Sequence, residues 1–251
     1  MMHRLIAPAL AAAFSVAMAL PADAMDLTEL TDAERAQFRA EVRAYLMDNP
    51  EVIMEAVELL QAREAEQQAQ ADFTLVTENA AAIFDDGYSW VGGNPDGDIV
   101  LVEFLDYRCG YCKKAHGEVA KLLETDGNIK WIVKEFPILG EQSVLASRFA
   151  VATKQVAGGD SYHALNDALM SFNGDVTLPA LRRLGETFGL DVDAIEARMD
   201  SEEVTREIAE TRALAQKLKI SGTPTFVMQD ELLRGYLPYD QMQAVVAEKR
   251  G

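Results

Sequence analysis

The sequence predicts an α/β fold, with a helical arm in front of it and a block of helices inserted before its last strands. Three observations lead there. An apolar, β-branched run at 99–105 is followed by a helical stretch and a second strand-like segment at 129–135, which is the pattern of a strand–helix–strand unit. Residues from about 142 to 218 then read as helical throughout. Residues from about 28 to 84 are polar, helical in spacing and rich in Glu, Gln and Ala.

In chain order, the first segment is read as a leader. Met1 to Arg4 carry a positive charge, Leu5 to Leu20 are apolar and small, and Ala22-Asp23-Ala24 fits a signal-peptidase site with cleavage after Ala24. The arm, 25–84, follows. Thr31-Asp32-Ala33-Glu34 is a capping box, and Phe38, Val42, Tyr45 and Leu46 recur at helical spacing. Asn49-Pro50 ends that helix and starts another, with Asn49 as its N-cap. Phe73, Val76, Ala80 and Ile83 then form a short 3-4-3 seam. Such a seam either packs back on the main domain or pairs with the same helix of another chain.

The main domain is expected at 85–251. Glycine and asparagine clusters at 85–87 and 92–98 are turns. Ile99 to Leu105 is near-continuously apolar, as in a strand covered on both faces. A helix over Lys113–Glu124 and a strand over Ile129–Glu135 complete the unit. The helical insertion, about 140–218, is broken at Gly158-Gly159, Asn173-Gly174 and Gly189. Thr225-Phe226-Val227-Met228 and Glu231-Leu232-Leu233-Arg234 read as a strand pair, and Pro238 to Lys249 as a closing helix.

Bulk properties narrow the function. The chain has 251 residues, 49% of them hydrophobic, which is ample for a core. Its net charge of -18 opposes binding to nucleic acid or to anionic membrane surfaces. Only two cysteines occur, too few and too close together for a disulfide-stapled scaffold.

Those two, Cys109 and Cys112, lie just after the first strand and open a helix. A disulfide across so short a loop removes little unfolded-state entropy, so the pair is useful only if it opens and closes. At a helix N-terminus, unpaired N–H groups and the dipole favour the thiolate. Cys109, at the exposed end of the turn, is the expected attacking sulfur, and Cys112, one turn in, the resolving one. Attached haem would need His after the second cysteine, where Lys113 stands. A closed zinc site needs four ligands, for which only His116 and His163 could be added outside the leader, and no metal is expected; copper(I) is the softer match to two thiolates. Glu103 shares a strand face with Ile99, Leu101 and Leu105, so its carboxyl should be desolvated and could exchange a proton with the inner thiol. Thr223-Pro224 precedes a strand as a turn.

Phe104-Leu105-Asp106-Tyr107-Arg108-Cys109-Gly110-Tyr111-Cys112-Lys113-Lys114, with Gly222-Thr223-Pro224-Thr225-Phe226 far downstream, resembles the DsbA-like branch of the thioredoxin superfamily, and within it the periplasmic ScsC and Com1-type proteins. The resemblance implies a thioredoxin fold with an inserted helical bundle. It implies a cis Pro224 against the cysteine pair, with backbone beside it holding substrate, and it puts a buried acid at Glu103. It also implies thiol–disulfide exchange on cysteine-containing secreted proteins in the periplasm, with no cofactor beyond the Cys109–Cys112 couple. A membrane redox partner of the DsbD/ScsB or DsbB kind and a homo-oligomer formed through the arm are implied as well. The intervening dipeptide is Gly-Tyr, as in the isomerase DsbC, where the oxidant DsbA has Pro-His. An isomerase or reductase role is therefore favoured; a DsbA-like disulfide donor and a copper(I)-binding protein are the alternatives.

Overall fold

Thr31 opens the first helix, α1 (Asp32–Asp48): Glu34 N–H donates to its hydroxyl, and its own N–H donates to the Glu34 carboxylate at 2.9 Å. The computed structural model describes residues 30–251; the leader expected at 1–24 lies outside the described residues. The chain forms two units, one through Leu60 and one over Gln61–Gly251. In the first, no residue of α1 is buried. Asn49, expected to cap the start of the second helix, closes the first instead. Its N–H and side-chain amide both donate to the Tyr45 carbonyl, at 2.8 and 2.9 Å, because carbonyls at a helix end lack an intrahelical partner. Helix α2 runs over Glu51–Glu78.

The second unit takes in the later part of α2 and helix α3 (Ala80–Phe84), so the boundary expected at 84/85 falls inside it. Burial is the reason. Val76 and Ile83 sit in an apolar cluster with Val102, Phe104 and Ile132, and Asp72 forms an ion pair with Arg234. Val76 and Ile83 of the 73–83 seam are thus used within the chain's own domain, whereas Phe73 stays exposed.

Five strands form one sheet in the order β1-β3-β2-β4-β5: β1 (Trp90–Gly93), β2 (Ile99–Leu105), β3 (Ile129–Glu135), β4 (Thr225–Met228) and β5 (Glu231–Arg234). β2 and β3 are parallel, joined by α4 (Gly110–Asp126); the other pairings are antiparallel. Central β2 is buried along nearly its whole length, which explains why its run is apolar but for Glu103. β1 is a strand that the sequence conceals, being four residues long with two glycines. Helix α4 stops at Gly127, whose φ of 69° suits a residue without a side chain.

Between β3 and β4 come α5 (Glu141–Ala157), α6 (Gly159–Ser171), α7 (Leu178–Thr187), α8 (Val192–Met199) and α9 (Glu202–Lys217); α10 (Tyr239–Arg250) closes the chain. The core has two sides. One sheet face packs on α4, α5, α6 and α10 through residues such as Leu101, Val119, Phe149 and Met242. The other packs on Val76, Ile83 and Leu214. This is a thioredoxin fold with a helical bundle inserted after the strand–helix–strand unit. Among the described residues, no helix is long and apolar enough to cross a membrane.

Candidate active site

β2 ends at Leu105, and four residues later Cys109 caps the N-terminus of α4. The turn is fixed by a residue that periodicity does not single out. Asp106 is fully buried, and its carboxylate accepts N–H groups from Arg108 (2.8 Å), Ile138 (2.8 Å) and Leu139 (3.0 Å). Its carbonyl accepts from Cys109 N–H at 3.0 Å. The only local hint is that Asp sits where an apolar strand gives way to a turn, a position suited to capping N–H groups.

Cys109 and Cys112 are free thiols. Cys109 is 8% exposed, less than a position at an open helix end suggests, and Cys112 is fully buried. Tyr111 between them is 64% exposed. Cys112 N–H donates to Cys109 Sγ at 3.4 Å, and the Cys109 thiol reaches the Thr223 carbonyl at 3.1 Å. The Cys109 pKa is drawn down to about 5. Hydrogen bonding from the Cys112 thiol leads the effect, the amides of Cys112 and Tyr111 add to it, and burial opposes it. Cys112 is pushed far up by the same hydrogen bond, in which it keeps its proton, and by burial. The pair therefore rests as an outer thiolate and an inner thiol.

The Thr223–Pro224 peptide bond is cis. The Pro224 carbonyl accepts Gly235 N–H at 3.0 Å, which ties this turn to the loop after β5. There the Tyr236 ring lies 6.2 Å from that of Tyr111, with Lys114 over it at 4.1 Å. The structure thus brings together four positions singled out in the sequence: Cys109, Cys112, Thr223 and Pro224.

Glu103 is fully buried on the cysteine side of the sheet, and neither carboxyl oxygen has a hydrogen-bond partner. Burial raises its pKa to about 8, and Glu135 adds to the rise. The charge of Glu103 in turn helps raise Cys112.

His116, one turn beyond Cys112, engages Asp167 at 3.0 Å, and His163 lies 3.8 Å from the same carboxylate. Among the described residues, no three His, Cys, Asp or Glu are grouped to hold a metal ion.

Residues 100–247 match the family described as DSBA-like thioredoxin domain, and residues 34–67 match the copper resistance protein ScsC N-terminal domain. A thioredoxin-like oxidoreductase from Silicibacter pomeroyi is 40% identical, covering 68% of this chain and 96% of that one, with a TM-score of 0.64. ScsC of Proteus mirabilis in a transitional conformation is 28% identical over 88% of this chain and 98% of its own, with a TM-score of 0.64. A periplasmic thioredoxin-like protein from Salmonella enterica serovar Typhimurium is 30% identical over 68% and 94%, with a TM-score of 0.61. Among curated relatives, disulfide bond formation protein D of Bacillus subtilis is 24% identical over 62% of this chain and 75% of its own. An Na(+)/H(+) antiporter NhaA of Salinispora tropica is 24% identical over 62% of this chain, which spans only 24% of that protein's length.

Proposed function

The chain belongs to the DSBA-like thioredoxin domain family, and from that premise we propose that it is a thiol–disulfide oxidoreductase with Cys109 and Cys112 as its reacting pair, acting in the periplasm on secreted proteins as an isomerase or reductase. The observation that carries this reading is the Cys109 sulfur at the N-terminus of α4, where Cys112 N–H donates to it and its pKa falls to about 5.

In the reductive direction, the Cys109 thiolate attacks one sulfur of a substrate disulfide. The other substrate sulfur leaves as a thiolate, and a mixed disulfide remains. Cys112 passes its proton to the Glu103 carboxylate, directly or through one water, and its thiolate attacks Cys109. The second substrate thiolate leaves, and the enzyme holds a Cys109–Cys112 disulfide. Two electrons have moved from the pair to the substrate. An isomerase releases the substrate rearranged before the second attack; an oxidase runs the sequence backwards. Thr223 and Pro224, with exposed Tyr111 alongside, offer the surface against which a substrate strand is held.

The leader-like residues before Ala24 support export, and a relative described as periplasmic agrees. A membrane protein of the DsbD/ScsB kind would keep the pair reduced, or one of the DsbB kind oxidised. The arm favours assembly with further copies of the chain: Phe38, Val42 and Tyr45 of α1 and Ile53, Val57 and Leu60 of α2 are exposed apolar residues within the region similar to the ScsC N-terminal domain.

The test compares the wild type with Cys109→Ser in insulin reduction and in refolding of a scrambled disulfide substrate. Loss of both activities in the variant is expected, and equal activity overturns the reading. In cells, a pair isolated mainly reduced supports isomerase or reductase work; one isolated mainly oxidised makes it a disulfide donor.

A further inference from the structure

A second carboxyl is buried behind the cysteine turn. Glu135, the last residue of β3, accepts hydrogen bonds from the hydroxyls of Tyr107 at 2.6 Å and Tyr162 at 2.7 Å, both on its Oε1. Asn166 Nδ2 donates to the Tyr107 hydroxyl at 3.0 Å. Tyr107 lies two residues before Cys109, whereas Tyr162 and Asn166 come from α6, so the network joins the turn, the sheet and the insertion. All four side chains are buried, and Glu135 Oε2 has no partner.

Glu135 and Glu103 occupy the same face of adjacent parallel strands. The register sets Glu103 opposite Val133 and Glu135 opposite Leu105, so the two acids are diagonal neighbours. Lys134 points to the other face, where it meets Asp86. Lys154 of α5, whose charge acts on Glu135, is paired with Glu207. Two buried carboxyls thus lie on one face, with hydroxyl donors on Glu135 only.

We propose that Glu135 is a positioning residue for the exchange reaction: anchored by Tyr107 and Tyr162 beside Glu103, it opposes with its own charge the ionisation of Glu103, and so sets when Glu103 can take the proton of Cys112. The proposal rests on the reading of Cys109 and Cys112 as the reacting pair. The order of ionisation follows from the neighbours. Burial raises both carboxyls, but the hydroxyls of Tyr107 and Tyr162 draw Glu135 back towards its charged form, whereas neither Glu103 oxygen accepts a hydrogen bond. Glu135 is therefore charged first, and its charge then acts on Glu103 through a low-dielectric interior.

The reduced protein is mixed with the aromatic disulfide 5,5′-dithiobis(2-nitrobenzoate) between pH 5.5 and 9.5. Cys109 attack releases one coloured thiolate and leaves a mixed disulfide; Cys112 attack releases the second. The rate of the second release against pH reports proton transfer from Cys112. Glu135→Gln keeps an oxygen for the two tyrosines but carries no charge. Its profile should move to lower pH by about half a unit to one unit. Tyr162→Phe, which removes one donor and so keeps Glu135 protonated to higher pH, should move it the same way by less. It also keeps the proposal testable if Glu135→Gln fails to fold. The first release should keep its wild-type pH dependence in both. Midpoints that coincide with the wild type, whatever the height of the profiles, overturn the proposal alone. No second release from the wild type overturns the assignment of the pair, and the proposal with it.

Discussion

A cysteine in an unfolded chain titrates near 8.5, and Cys109 in the fold at about 5. Its folded value is depressed, so the stability it contributes to the reduced protein is present above the unfolded value and is lost as pH falls through about 5. Glu103 has the opposite sign. Its folded value, about 8, is raised, so its contribution is present below about 4.5 and is lost as pH rises through about 8. In the oxidised protein the cysteines no longer titrate, which leaves the Glu103 effect to be read separately. Glu103→Gln, neutral at every pH, should match the wild type near pH 4.5. It should gain stability towards pH 9, reaching about 2–4 kcal/mol. Urea melts of the oxidised proteins at the two pH values measure this; a constant difference between them would mean that Glu103 is not held protonated by the fold.

At the scale of elements, the site depends on two loops that share one carboxylate. Asp106 ties the β2–α4 turn to the segment after β3 through three N–H groups. Asp106→Ala leaves those donors without their acceptor and should destabilise the protein by about 2–4 kcal/mol. Asp106→Asn, with one acceptor oxygen remaining, should cost about half as much. Equilibrium unfolding decides, and a loss under about 0.5 kcal/mol for the alanine variant counts against the carboxylate as organiser. The sequence announces some of this and hides the rest for physical reasons. Ile99–Leu105 is legible because a strand covered on both faces needs a near-continuous apolar run, and Ile129–Glu135 because its β-branched and aromatic residues follow a helix of the right length. The cysteine pair is legible because its spacing and its place before a helix are local. β1 is concealed by its two glycines and its length. Asp106 reaching Ile138, and Glu135 receiving Tyr107 and Tyr162, depend on tertiary contacts about 30 residues apart that no local periodicity encodes.

At the scale of the whole molecule, the question is where an arm ends and a catalytic unit begins. Polar helical composition continues to Phe84 and suggests one long arm, but composition does not register which helical residues find a partner. Val76 and Ile83 are buried against the sheet, and Asp72 is held by Arg234, with Nη2 to Oδ1 at 2.8 Å, and by Gln68 at 2.9 Å. The two aliphatic side chains contribute about 1.5–3 kcal/mol each. The Asp72–Arg234 pair adds less, about 1 kcal/mol at most, because the guanidinium side is open to solvent. Together these approach the lower end of the net stability of a typical domain, about 5–15 kcal/mol. Deletion through Leu60 should therefore leave cooperative unfolding and insulin reduction intact. Deletion through Phe84 should unfold the protein or lower its midpoint steeply. The two deletions also separate folding from assembly. If α1 and the first part of α2 join copies of the chain, sedimentation gives a multiple of 27.6 kDa, less the leader, for the full chain and a monomer once residues through Leu60 are gone. A full chain that sediments as a monomer removes the arm from assembly, and its exposed apolar residues then need another partner.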